Sequence, residues 1–180
     1  MWPDRPARPH EPIFPLPESI TGQSVATKLQ ALREEMRKQQ ASAFVATMLD
    51  EVAWLLNLRG NDVPFNPVFF AFAIITQDVC HFYVDESQLS EDARKHLGSQ
   101  VTVRPYASFY TDLAALKQRV LIGKRASWAV YDALGAENAH IVRSILVDQK
   151  SIKNPVELDG FREAHLRDGA ALVSFFAWLE

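Results

Sequence analysis

Several side chains in this sequence are of types that carry out catalysis. Cys80 and His81 are neighbours, and a thiolate beside an imidazole is a common nucleophilic pair. Adjacent residues of a strand point to opposite faces of the sheet, however, so this pair has poor geometry for catalysis. We expect Cys80, the only cysteine, to be a small core residue. A single cysteine also excludes intramolecular disulfides and cysteine-rich zinc sites.

Metal ligation requires several histidines or carboxylates to converge. His81 with Asp85, and Glu137 with His140, are two-ligand fragments of such a site. Two ligands without a third seldom hold a metal, so we interpret both pairs as surface polar groups. The sequence therefore predicts no metal site within this chain.

The sequence also contains no convincing residue pattern for acid–base catalysis or for phosphate binding. Asp50 and Glu51 are adjacent carboxylates, but adjacent helical residues do not share a face. We interpret them as favourable charges in the first turn of a helix. The glycine-rich phosphate loops and the Gly-x-Ser-x-Gly elbow do not occur in the sequence. The residue types alone thus predict no catalytic site.

One loop, residues 59–67, concentrates polar groups between apolar segments. Arg59, Asn61, Asp62 and Asn66 lie on it, constrained by a glycine and two prolines. The guanidinium of Arg59 is a fixed cation with five donors and could clamp a carboxylate or a carbonyl group. The alternative is that Arg59 forms a surface or intra-loop ion pair with Asp62.

The elements around this loop read as an α/β pattern. Apolar spacing predicts helices over 24–39, 49–58, 90–97 and 109–121. It predicts strands over 41–47, 68–76, 79–84, 101–106 and 126–130, and leaves 137–143 ambiguous. Gln77 and Asp78 favour a hairpin between two of the strands. Strands separated by helices, with one hairpin, predict an α/β domain with a mixed sheet flanked by helices.

Both ends of the chain indicate connections to other segments. Six of the ten prolines fall within residues 1–17, which is typical of an extended linker; a disordered terminus is the alternative. Asn154, Pro155 and Glu157 predict a helix start with a capping box. No stop signal follows before Glu180, and the apolar face of this helix needs a partner. We expect it to be the opening element of a further domain.

Composition narrows the classes of function. The chain is 48% hydrophobic and 23% charged, which is typical of a globular domain. The net charge of −3 gives no support to nucleic-acid binding. No apolar run reaches the length of a membrane span, and no signal peptide is visible. We therefore expect neither nucleic acid nor membrane among its partners.

A longer motif carries a family resemblance. Residues 49–64 read LDEVAWLLNLRGNDVP and are followed at 66–70 by NPVFF. The segments WPDRPARP at 2–9, KSIKNPVE at 150–157 and REAHLRDGAAL at 162–172 extend the match over essentially the whole chain. The sequence closely resembles the cytosolic-type Xaa-Pro aminopeptidase (aminopeptidase P) family, a group of three-domain enzymes.

The resemblance implies a fold and a division of the chain. Residues 1–20 correspond to a proline-rich interdomain linker, and 21–150 to a creatinase N-terminal-like domain with a ribonuclease-H-like fold. Residues 151–180 correspond to the start of a pita-bread catalytic domain. In the family that domain binds two divalent metals, usually manganese, and the enzyme removes the N-terminal residue from peptides with proline second. A cytoplasmic location is implied as well.

The motifs that bind metal in the family lie downstream of the matched region. No metal ligand, cofactor or catalytic residue can therefore be assigned to this chain. Arg59, Asn61 and Asp62 are candidates for facing a substrate cleft, by their position in the motif. We expect the chain to be the non-catalytic second domain of such an enzyme, inactive alone, whose parent binds Xaa-Pro peptides. The alternative is a non-enzymatic interaction module, with a homodimer as its assembly.

Overall fold

The computed structural model describes residues 4–180, and a six-stranded sheet lies at its centre. The strands are β1 (Phe14–Pro15), β2 (Ala43–Ala46), β3 (Leu58–Arg59), β4 (Phe72–Thr76), β5 (Cys80–Val84), β6 (Val101–Pro105), β7 (Val120–Gly123) and β8 (Ala139–Val142). The helices are α1 (Glu18–Thr21), α2 (Val25–Lys38), α3 (Leu49–Leu55), α4 (Glu91–Leu97), α5 (Phe109–Ala115), α6 (Trp128–Leu134), α7 (Ile145–Ser151) and α8 (Pro155–Leu179).

The main sheet has the order β6-β5-β4-β2-β7-β8 and is mixed. Strand β4 runs antiparallel to both of its neighbours, β5 and β2. The remaining pairs, β5–β6, β2–β7 and β7–β8, are parallel. The mixed sheet predicted from the sequence is therefore confirmed.

Helices cover both faces of this sheet. Because side chains alternate along a strand, Phe44 of β2 packs into one apolar cluster and Val45 into another. The first cluster includes residues of α2, α3, α4 and α7, whereas the second includes residues of α5 and α6. The result is a three-layer α/β domain, as the sequence predicts.

The structure corrects the region from 109 to 130. The predicted helix over 109–121 ends at Ala115, and Val120–Gly123 is a buried parallel strand. A strand buried on both faces has a continuous apolar sequence without alternation. The start of this run therefore looks like a continuation of the apolar pattern of the preceding helix. The predicted strand over 126–130 is wrong, since this segment enters α6, whose end is marked by Gly135 at φ +76°. The parallel strands β7 and β8 need a crossover connection, which is usually a helix, and α6 lies in it.

Smaller corrections follow from hydrogen bonding. The strand predicted over 68–76 begins only at Phe72, because backbone groups before Phe72 hydrogen-bond to the loop instead of to a neighbouring strand. The Val68 carbonyl accepts from the Asp62 N–H, and the Phe70 N–H donates to the Asp62 carboxylate. The helix predicted over 49–58 ends at Leu55, before β3. Helix α7 was not predicted, and the ambiguous segment contains β8.

Residues just before α1 contact the α/β domain. Strand β1 pairs antiparallel with β3, which places Phe14 opposite Arg59. Ile13 is fully buried, and its N–H donates to the Gln88 carbonyl. The end of the proline-rich segment therefore packs against the loop that begins at Arg59.

Helix α8 begins as the sequence predicts. The Asn154 side chain accepts from the Glu157 N–H, and the Glu157 carboxylate accepts from the Asn154 N–H, completing a capping box. No residue of α8 is buried. Among residues 4–180, no helix combines the length and apolar character that crossing a membrane requires.

We expect the central strand to dominate stability. Phe44 is fully buried in β2, so Phe44→Ala should lower the free energy of unfolding by about 3–5 kcal/mol. The matched control is Phe65→Ala, since Phe65 is fully exposed and its removal should leave the value nearly unchanged. Urea unfolding followed by circular dichroism measures both. Equal effects of the two substitutions would contradict this placement of the core.

Candidate functional site

The loop that begins at Arg59 is held by a buried carboxylate. Asp62 is only 4% exposed. Its Oδ1 accepts from the Glu11 N–H at 2.8 Å, and its Oδ2 accepts from the Phe70 N–H at 2.9 Å. The Gln88 side-chain amide lies 3.1 Å from both oxygens. Protein donors therefore occupy both oxygens of this carboxylate.

The ion pair between Arg59 and Asp62 left open by the sequence is not among those formed by residues 4–180. Arg59 Nη1 instead donates to the Ala53 carbonyl at 3.0 Å and to the Leu58 carbonyl at 2.8 Å. Burial lowers the pKa of the Arg59 guanidinium, and the nearby carboxylate of Glu157 offsets part of that effect. Arg59 is thus a half-buried cation that is anchored to backbone carbonyls of α3 and β3.

The three predicted cleft residues do not form one cluster. Asn61 is exposed to solvent, Asp62 is buried beneath the loop, and Arg59 lies beside α3. Asn61 is therefore the one whose side chain is free to meet solvent. A role for these residues in a substrate cleft stays a prediction.

A second buried charge lies next to this loop. Lys28 of α2 is only 2% exposed, and its ammonium donates to the Trp54 carbonyl at 2.9 Å and to Asn57 Oδ1 at 2.6 Å. The same nitrogen lies 4.0 Å from the centre of the Trp54 ring, a cation–π contact. Burial lowers the pKa of Lys28 from 10.5 to about 8, while Glu157 raises it and Arg59 lowers it further.

Trp54 connects this buried charge to helix α8. Its Nε1 donates to Glu157 Oε1 at 3.1 Å. Trp54 thus links Lys28 to Glu157, and the charge of Arg59 acts on the pKa of Lys28 and is itself influenced by Glu157; we call these four residues the junction cluster. Sequence reasoning missed Lys28 as a member. The available signal was its position in the apolar stripe of α2, three residues after Val25 and one before Leu29.

The adjacent carboxylates of α3 bind two different partners. Glu51 is 3% exposed and accepts from Ser144 Oγ at 2.9 Å. Burial raises the pKa of Glu51, and the Ser144 bond partly opposes this. Asp50 forms an ion pair with Lys150 of α7 at 2.6 Å. The two groups hold α7 against α3 rather than acting as a catalytic pair.

The remaining candidates for chemistry are separated from one another. Cys80 is fully buried, and burial raises the pKa of its thiol to about 12, so it is a core residue as predicted. Asp85 caps a single 3₁₀ turn by accepting from the Ser87 N–H. In the part of the chain that the structure describes, no three histidine, cysteine or acidic side chains are placed to share a metal ion.

An open surface cavity of about 510 Å³ lies elsewhere on the domain. It is formed between the start of α2, including Ser24, and the end of α4, including His96. His96 Nε2 lies 3.1 Å from the Leu56 carbonyl. Arg59, Asn61 and Asp62 do not line this cavity. The cavity therefore lies apart from the loop that begins at Arg59.

Sequence comparisons with known proteins agree on one family. The profile of the Creatinase/Prolidase N-terminal domain family matches residues 4–157. A probable Xaa-Pro aminopeptidase P of Laccaria bicolor is 51% identical over 185 residues, covering 98% of this chain and 29% of that protein. A probable Xaa-Pro aminopeptidase P of Leptosphaeria maculans is 46% identical over 193 residues, covering 100% of this chain and 32% of that protein. The chain thus spans about a third of the length of these relatives.

Solved structures agree with the sequence comparison. An X-prolyl aminopeptidase of Caenorhabditis elegans, described as a cytosolic enzyme with a di-nuclear active site, superimposes with a TM-score of 0.94 at 34% identity. The match covers 99% of this chain and 31% of that one. An Xaa-Pro dipeptidase of Bacillus anthracis has a TM-score of 0.66 at 15% identity, which is a similarity of fold alone. The family resemblance seen in the sequence is confirmed.

We expect Asp62→Asn to destabilise the domain. An amide nitrogen would replace one acceptor oxygen and would face a backbone N–H or the Gln88 amide, leaving buried donors unsatisfied. The expected loss is about 1–3 kcal/mol of unfolding free energy, measured by urea titration. Asn61→Ala is the control, because that side chain is exposed. An Asp62→Asn variant with the same unfolding free energy as the parent would contradict the described network.

Stability should depend on pH through Lys28. Its folded-state pKa of about 8 lies below the ordinary 10.5, so the unfolded chain binds the proton more tightly. The penalty for burying the charge is present in full below pH 8 and disappears as pH rises toward 10.5. The unfolding free energy of the parent minus that of Lys28→Met should therefore increase across this window, by up to about 3 kcal/mol. A difference that does not change with pH would refute the burial of a charged amine.

Proposed function

Because the chain belongs to the Creatinase/Prolidase N-terminal domain family, we propose that it serves as a non-catalytic domain of a metal-dependent Xaa-Pro aminopeptidase. The parent enzyme would remove the N-terminal residue from peptides with proline in second position. The observation that carries this proposal is the 51% identity to a fungal probable Xaa-Pro aminopeptidase P over 98% of the chain. The TM-score of 0.94 to a nematode X-prolyl aminopeptidase supports it.

The metals of such an enzyme would be held outside this chain. The nematode relative is described as having a di-nuclear active site, and manganese is the metal that the family resemblance implies. Residues 4–180 offer no cluster of three metal-ligating side chains, so they do not fit a metal pair by themselves. The contribution of this chain would be to position the metal-binding part and to cover its cleft.

Within that role, Arg59 is the best candidate for facing a substrate cleft. Its guanidinium is half-buried beside α3, and residues 4–180 satisfy it only through Nη1. Donors that remain available on a fixed cation suit a carbonyl or carboxylate of a peptide. Asn61 would meet the peptide from the exposed side of the loop, and Asp62 would act by holding the loop in shape.

We propose a cytoplasmic location for the parent enzyme. This proposal rests on the nematode relative, which is described as a cytosolic enzyme. The single cysteine is compatible with a reducing compartment, since no disulfide is needed for the fold.

A second candidate function is a non-enzymatic interaction module. The observation that favours it is the exposed apolar surface of α8, which includes Phe161, Phe176 and Trp178. Exposed apolar surface of this kind is typical of a docking site. Self-association that depends on concentration, and that disappears when residues 155–180 are deleted, would favour this module. A monomer at high concentration would count against it.

The central experiment is hydrolysis of an Xaa-Pro-Yaa tripeptide with added manganese. We expect the purified 180-residue chain to show no turnover and no stoichiometric metal, because the ligand set is incomplete. A form that includes the flanking coding sequence on both sides of this chain should bind about two metals and turn over the peptide. Elemental analysis quantifies the metal beside each assay.

The control for this assay is a chelator-treated sample of each form. Turnover by the 180-residue chain above that control would refute the assignment of a non-catalytic role. Failure of the extended form to cleave any Xaa-Pro peptide, while folded and loaded with metal, would refute the proposed parent activity.

A further inference from the structure

Helix α8 is attached to the rest of the chain by its first turn. Within residues 4–180, Glu157 is the residue of α8 whose side chain hydrogen-bonds to another element. Asn154, the N-cap of α8, makes a second such contact. From Leu158 onward the side chains are exposed, including large apolar ones. The direction of this long helix is therefore set at its start.

The first attachment joins α8 to the end of α1. Asn154 Nδ2 donates to the Thr21 carbonyl at 2.9 Å, while Asn154 Oδ1 caps the helix by accepting from the Glu157 N–H. Gly22 lies against the Asn154 side chain at φ +68°, where a β-carbon would collide with the Asn154 amide. Glycine at this position permits the close approach.

The second attachment joins α8 to α3 through a different residue. Trp54 Nε1 donates to Glu157 Oε1 at 3.1 Å, and Glu157 Oε2 accepts from the Asn154 N–H at 3.1 Å. One carboxylate thus caps its own helix and binds the α/β domain. Two attachments on separate elements fix a helix direction, whereas one would leave a pivot.

The charges beneath Glu157 favour its position. Lys28 is a buried cation of the α/β domain and Arg59 a half-buried one, and the Glu157 carboxylate raises the pKa of each. The Lys28 ammonium lies 4.0 Å from the centre of the same Trp54 ring that donates to Glu157. An alanine at 157 would lose both the hydrogen bond and this attraction.

We propose that Glu157 is a positioning residue that couples α8 to the junction cluster, so that the α/β domain determines the direction of α8. This inference concerns the chain itself and does not depend on the proposed peptidase activity. The coupling acts through Trp54 Nε1, and the capping box alone would start the helix without directing it.

The test is a distance measurement between two spin labels on the full 180-residue chain. Ser174→Cys on α8 and Lys95→Cys on α4 place the labels on exposed positions, and the buried Cys80 will not react. We expect one narrow distance distribution in this doubly labelled parent. Adding Trp54→Phe, which keeps the α8 capping box, should broaden the distribution about twofold or more.

Two further variants separate direction from helix formation. Glu157→Ala should broaden the distribution at least as much as Trp54→Phe. Glu163→Ala on the exposed surface of the same helix should leave it unchanged. Circular dichroism verifies that α8 stays helical in each case. A broad distribution in the parent, or unchanged distributions in both Trp54→Phe and Glu157→Ala, would overturn the proposal.

A measurement on the parent chain covers the case in which Trp54→Phe does not fold. The indole N–H of Trp54 should exchange with solvent more than tenfold more slowly than that of Trp178, which is exposed on α8. The Trp178 signal is identified by its loss in Trp178→Phe. Equal exchange rates for the two indoles would show that Glu157 does not hold Trp54.

Discussion

The buried ammonium of Lys28 constrains this part of the molecule. A charge removed from water must find fixed acceptors, and the end of α3 supplies them through the Trp54 carbonyl and Asn57 Oδ1. Meeting that requirement places the end of α3 against α2. Asn57 takes a left-handed conformation at φ +50° there, and β3 begins at the next residue. The position of Arg59 therefore follows from the need to satisfy Lys28.

A carboxylate plays the corresponding role on the other side of the loop. Asp62 gathers donors from the N-terminal segment, from the residues before β4, and from Gln88. Segments that lie far apart in the sequence therefore meet at one small anion. Replacing one partner of such a group costs more than the group itself contributes, because the remaining charge stays buried. The loop has little freedom to change shape without breaking this set of bonds.

The sequence predicts the fold class, the capping box of α8 and most helices, because these depend on local patterns. Ser24 and Asn154 cap helices by short-range hydrogen bonds that a reader can identify from neighbouring residues. The region from 109 to 130 could not be predicted in the same way. Val120–Gly123 is apolar on both faces because helices cover both faces of the sheet, and its place between β2 and β8 depends on long-range pairing. Lys28 and Glu157 were missed as partners for the same reason, since 129 positions separate them in the chain.

Helix α8 has 25 residues and is therefore about 37 Å long. It behaves mechanically as a rod fixed at one end, and each degree of tilt at its base displaces the far end by about 0.6 Å. A change of a few degrees near Glu157 would move Trp178 by a distance comparable to a hydrogen bond. A small change in tilt at the first turn of α8 thus produces a larger displacement at its C-terminal end. Substitutions in the α/β domain that change this tilt would therefore displace any group packed against the C-terminal end of α8, without touching that group.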